Sequence, residues 1–166
     1  VQQAQEEYIK AWCALKIMSK VYGFGDPDGF VFNMSVGYDL DGIKGRKVNT
    51  YINNMMDAGK TAQFKECKKV LTELFPEEKD FIASISPNVS RSVTLSTLHG
   101  CPPQEIERIA SYLLKEKHLH TFVKCNPTIL GYKTARSILD SMGYDYIVFD
   151  EHHFNEDLQW EDAVPM

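Results

Sequence analysis

The stretches SVTLS (92–96), GCPPQEIERIASYLLKEK (100–117) and TFVKC (121–125) decide the fold. Two short runs rich in β-branched and apolar residues flank a segment where Ile106, Ile109/Ala110 and Leu113/Leu114 recur at helical spacing. Pro103 stands where the first turn of a helix tolerates it, and Gln104 and Glu105 follow where an acid suits the helix dipole. A strand, a helix and a second strand in this order imply a crossover connection, which makes the two strands parallel.

The same pattern extends in both directions. Upstream, FVFNMSV (30–36), bounded by glycines, reads as a buried strand. Before it, GFGDPDG (23–29) ends a helix over 4–22 whose stripe is Tyr8, Trp12, Leu15 and Met18/Ser19. Residues 37–45 read as a loop, and 47–58 as a helix with Val48, Tyr51/Ile52 and Met55 on one face. A charged amphipathic helix follows over 60–74, then an apolar stretch over 80–85 that Ser86-Pro87-Asn88 breaks. Downstream come a helix over 131–142 ended by Gly143, a fourth strand YIVF (146–149), and a helix from Asn155 with Glu156 and Asp157 in its first turn. The expected class is α/β, with parallel strands joined by helical crossovers. Four strands suit half of an eight-stranded barrel or a small doubly wound sheet, and the pattern favours neither. Nothing divides the 166 residues internally, so they read as one domain. The chain starts without Met inside a helical pattern and stops inside another, which is the expectation for a fragment.

Composition narrows the function classes. Apolar residues make up 43% and charged residues 25%, as in globular proteins. A net charge of −5 argues against a nucleic-acid platform, which is usually basic. No apolar run approaches the roughly 18–20 residues of a membrane span, and VQQAQEEYIK lacks the order of a signal peptide. The four cysteines (Cys13, Cys67, Cys101, Cys125) include no CxxC pair. They read as reduced thiols of a cytoplasmic protein rather than a disulfide framework or zinc ribbon.

Parallel α/β folds gather their working residues where strands end. Those positions carry Asn33, Ser35 and Tyr38, then Ser96, Thr97, His99 and Cys101, then Lys124, Asn126 and Thr128, and finally Asp150 to His153. Lys124, at the end of an apolar strand, is read as buried. It would either stabilise an anion formed during reaction or pair with Asp150 or Glu151. Asn126 before Pro127 offers a fixed carboxamide or merely starts a turn. Asn33, inside FVFNMSV, needs partners from backbone or ligand. Cys101, ahead of a helix N-terminus, is expected to favour its thiolate and to serve as proton donor or nucleophile, unless it only packs in the Gly-Cys-Pro-Pro turn; His99 is its candidate partner. Adjacent His152 and His153 point apart on an extended loop and lack a third ligand at a recognised spacing, so no metal is assigned.

The segments NMSVGYDLDGIKG, VTLSTLHGCPPQEIERI, FVKCNPTILGY and GYDYIVFDEHHF, with EEYIKAWCALKIM near the start, resemble the barrel region of the selenate reductase flavoprotein subunits. These are large relatives of dihydropyrimidine dehydrogenase and the dihydroorotate dehydrogenases. The resemblance implies a flavin-type (β/α)8 TIM barrel, of which this chain holds the middle strands, in a multi-module oxidoreductase acting on a small molecule. It implies FMN at this barrel, and FAD, iron–sulfur clusters and an NAD(P)H module elsewhere in the parent. It maps Lys124 beside the flavin ring, Asn33 and Asn126 around ring and substrate with Ser96 at the neighbouring strand end, and Cys101 onto the active-site cysteine. The relatives carry Asn-x-Ser-Cys-Pro where this chain reads Thr94 to His99, and the loop to Cys101 is shorter here, which leaves the acid role of Cys101 open. The family name suggests selenate, whereas an organic heterocycle suits the dehydrogenase relatives better. The rival implication is a flavin-free barrel that docks redox subunits to one another. Open sheet edges would make the isolated piece self-associate.

Overall fold

The computed structural model describes residues 1–96 and 101–165. In chain order the elements are α1 (Gln2–Tyr22), β1 (Phe32–Val36), α2 (Leu40–Lys44), α3 (Arg46–Met56), α4 (Ala62–Leu74), α5 (Lys79–Ser84), β2 (Ser90–Ser96), α6 (Pro103–Ser111), β3 (His120–Lys124), α7 (Tyr132–Ser141), α8 (His152–Asn155) and α9 (Trp160–Ala163). The strands form one parallel sheet in the order β1-β2-β3. Among the described residues no helix is long and apolar enough to cross a membrane.

The chain forms two compact units, Val1–Met34 with Lys44–Ser92, and Ser35–Ile43 with Val93–Met166. In the first, α1 packs against α3 and α4. α3 buries Val48, Tyr51, Ile52 and Met55, the face its spacing predicts, and a fully buried Ile52 or Met55 contributes roughly 1.5–3 kcal/mol. The stripe of α1 differs from expectation. It buries Ile9, Trp12, Cys13, Lys16 and Ile17, while Leu15 and Met18 lie exposed.

Lys16 explains the rotation. Its ammonium donates to Pro27 O and to Asp28 Oδ1 at 2.8 Å, and sits 4.2 Å from the centre of the Trp12 ring. A lysine so satisfied is buried without an orphaned charge. Trp12 donates from Nε1 to Ser86 O at 2.9 Å and packs edge-on to Phe30 and Phe32. Gly23, in the left-handed region at φ 70°, ends α1 with its N–H on Ser19 O. Thr61 starts α4 by accepting from Phe64 N.

Residues 37–45 are not the loop expected. They contain α2, whose first N–H, that of Leu40, donates to Glu105 Oε1 at 2.9 Å. α6 buries Ile106 and Ile109, and its continuation over Tyr112–Glu116 widens into π winding that turns Tyr112 and Leu113 inward and leaves Leu114 exposed. α7 ends at the predicted glycine, Gly143, with φ 81°.

The fourth strand expected over 146–149 does not form, and the sheet ends at β3. The reason lies in Arg136. Its guanidinium donates to Tyr144 O at 2.8 Å and to Ile147 O, occupying carbonyls a ladder would use. The same group lies 4.8 Å over the Phe149 ring, which packs with Tyr132 and Phe154 instead of pairing along a sheet. Val148 is left 93% exposed. The helix expected from Asn155 is likewise displaced: α8 ends at Asn155, and Glu156 and Asp157 follow it.

Candidate functional site

Alternation along the strands sorts the polar candidates. In β2, Val93 and Leu95 are buried, while Thr94 and Ser96 are half-buried on the opposite side. In β3, Phe122 and Lys124 are exposed, and Thr121 and Val123 are half-buried. In β1, Met34 and Val36 are buried, whereas Asn33 and Ser35 are exposed. Asn33, Ser96 and Lys124 therefore each lie on the less buried side of their own strand. At the end of β1, Gly37 lets the Ser96 carbonyl approach so closely that an added Cβ would lie 3.0 Å from it.

Beyond β3 the chain builds a crevice from Cys101, Ile106, Lys124, Cys125, Asn126 and the Thr128–Asp157 pair, with Leu158 behind it. Its volume of about 10 Å³ leaves room for about one water. Asp157 organises it: Oδ2 accepts from Asn126 Nδ2 at 3.2 Å and from Thr128 Oγ1 at 2.7 Å. Asn126 also fills the duller role expected of it, since its carbonyl accepts from Ile129 N and starts the 3₁₀ turn Pro127–Leu130. Three of the sequence-derived candidates, Cys101, Lys124 and Asn126, thus meet in one place. Ser96 does not line the crevice, Asn33 belongs to the other compact unit, and His99 lies outside the described residues.

Two expectations are corrected here. Lys124 is exposed rather than buried, on the same face of β3 as exposed Phe122, and among the described residues β3 is an edge strand. It forms no ion pair with Asp150 or Glu151 among the described residues; Asp150 instead accepts from the His152 N–H at 2.9 Å. Cys101 is also not poised as a thiolate. Partial burial and then the neighbouring Glu105 carboxylate push its thiol upward, which outweighs the start of α6. Its Sγ donates to Pro102 O over a long 4.0 Å.

No group of three or more metal-ligating side chains occurs among the described residues. His152 reaches Glu156 at 3.1 Å and His153 lies 3.9 Å from the same carboxylate. Asp157 is the residue sequence reasoning missed. It reads as an ordinary first-turn acid, and nothing local announces that it clamps a turn 31 residues upstream.

The family model described as "Oxidoreductase YgfK, N-terminal TIM-barrel domain" matches residues 1–166. The chain belongs to that family. "Putative oxidoreductase YgfK" of Escherichia coli (strain K12) is 41% identical over 180 residues, covering 99% of this chain and 17% of the relative. The protein of the same name from Escherichia coli O157:H7 matches to the same extent. The chain therefore spans about a sixth of the length of the curated relatives it matches. No solved structure matches. Three parallel strands with helices between them are consistent with part of the TIM barrel the YgfK family description names. The comparisons support an oxidoreductase and specify no substrate.

Proposed function

We propose that this chain supplies one face of a flavin-holding barrel in a multi-module oxidoreductase, where a small organic molecule exchanges electrons. The observation that carries the reading is Lys124: an exposed ammonium at the carboxyl end of a parallel strand, beside a crevice containing Cys101 and Asn126.

A crevice with room for about one water excludes the FMN ring. The less buried sides of β2 and β3 suit it better, because Ser96 offers a hydroxyl and Lys124 an exposed ammonium at the ends of those strands. Lys124 and Ser96 would hold the group, and bound flavin supplies a two-electron reservoir. Lys124 would stabilise negative charge at its ammonium. Asp157 would hold the Asn126 carboxamide in one orientation. Cys101, kept protonated by burial and Glu105, would donate a proton rather than attack. His99 stands as a second candidate for that donor.

In this reading electrons reach the barrel from NAD(P)H through FAD and iron–sulfur clusters in other parts of the parent. An organic heterocycle is preferred over selenate because a neutral proton donor beside a cation suits protonation of a reduced carbon or nitrogen. The deciding experiment denatures the complete parent protein and separates the released flavins by chromatography. FMN stoichiometric with the chain, in addition to FAD, supports the reading. FAD alone supports the flavin-free docking module.

A further inference from the structure

The α1–α4 side of the first compact unit holds a second chemical feature that the electron-transfer reading does not use. Cys13 on α1 and Cys67 on α4 line one groove of about 240 Å³, together with Ala14, Gln63, Val70 and Leu71. Both cysteines line this groove from helices that pack against each other. Cys13 is 1% exposed, while Cys67 is half-buried and open to the groove. Gln63 Nε2 donates to Cys67 Sγ at 3.4 Å. Lys10 also lines the groove. The groove therefore holds one reachable sulfur and one sheltered sulfur on neighbouring helices, the arrangement of an attacking and a resolving thiol.

We propose that Cys13 and Cys67 form a reversible dithiol–disulfide pair, oxidised by low-molecular-weight disulfides that enter the α1–α4 groove. Cys67 gives up its proton and its sulfur attacks one sulfur of the incoming disulfide. That S–S bond breaks, and the first leaving thiolate takes up a proton. Cys13 then loses its proton and attacks Cys67 Sγ, breaking the mixed disulfide and releasing the second small thiol. Two protein thiols and one small disulfide become one protein disulfide and two small thiols, so the chain loses two electrons and the small disulfide gains them. The bridge would tie α1 to α4. The second step is the slow one, because burial keeps the Cys13 thiol protonated.

The test uses the complete parent protein, reduced, freed of reductant and treated with glutathione disulfide. Free thiols are then blocked with N-ethylmaleimide and tryptic peptides are weighed. The expected product joins peptides 11–16 and 66–68 through a bond that dithiothreitol reverses. Its rate should rise about tenfold per pH unit above neutrality, following the thiolate fraction of Cys13. Cys13→Ser should trap glutathione on Cys67, and Cys67→Ser should leave Cys13 unmodified. Recovery of both cysteines as separate maleimide adducts overturns the proposal. So does a Cys13→Ser protein whose Cys67 remains unmodified under the same treatment. Both readouts are made on peptides and do not depend on flavin content or turnover.

Discussion

Asp157 and Lys124 divide the labour of the candidate site between holding and acting. Replacing Asp157 with Ala strands the Asn126 amide and the Thr128 hydroxyl, each half-buried. The expected cost is about 1–3 kcal/mol by urea denaturation, with Asp157→Asn milder because one acceptor oxygen survives. Lys124 should behave in the opposite way. It is exposed and forms no ion pair among the described residues, so Lys124→Met should leave stability within about 0.5 kcal/mol of the parent. Flavin retained through gel filtration of the complete protein should fall sharply. A variant that keeps its flavin would remove Lys124 from the proposed site.

At the level of elements, the segment after α7 is set by one side chain. Arg136→Ala would free the carbonyls of Tyr144 and Ile147 and remove the cation from the Phe149 face. Hydrogen exchange over 144–149 should then quicken, with β1 and β2 unchanged. The same segment shows where sequence reading stops. Tyr146 to Phe149 is a continuous apolar run of the kind a buried strand shows, yet apolarity cannot register that a guanidinium ten residues upstream has taken the carbonyls. Lys16 makes the complementary point: any hydrophobic pattern counts it as surface, and its burial depends on Pro27 O and Asp28 supplied by the following loop. By contrast, β1, β2, β3 and the inner face of α3 were legible, because there the partner is simply the nearest apolar surface. The convergence of Cys101, Lys124 and Asn126 was legible for a topological reason, since parallel strands deliver their ends to one side.

For the molecule as a whole, alkaline pH should be destabilising. The Cys13 thiol is pushed from 9.0 to about 12 by burial and then by Cys67. Between those values the folded chain keeps a proton that the unfolded chain has lost, so unfolding releases it and stability falls as pH rises. The slope is about 1.4 kcal/mol per pH unit above pH ~9, with no contribution below. Tyr51, raised from 10.0 to about 12 by burial, steepens the fall above its unfolded value. Urea midpoints at two alkaline pH values should show this, and Cys13→Val should flatten it. The uncovered edge of β3, where Phe122 is 58% exposed, also predicts that the 166-residue chain self-associates when produced alone. Light scattering that finds a monomer at all concentrations would contradict that, and Phe122→Lys should shift the population toward monomer.

The indole that donates to Ser86 has one further consequence. The chain has two tryptophans, one in each compact unit: Trp12 sealed among Phe30, Phe32 and the Lys16 ammonium, and Trp160 59% exposed. Their fluorescence should therefore separate by wavelength and by access to quencher, with iodide dimming the red-shifted emitter and sparing the blue one. Each unit carries its own optical thermometer, and the order in which the two signals collapse on heating would tell which half of the chain lets go first.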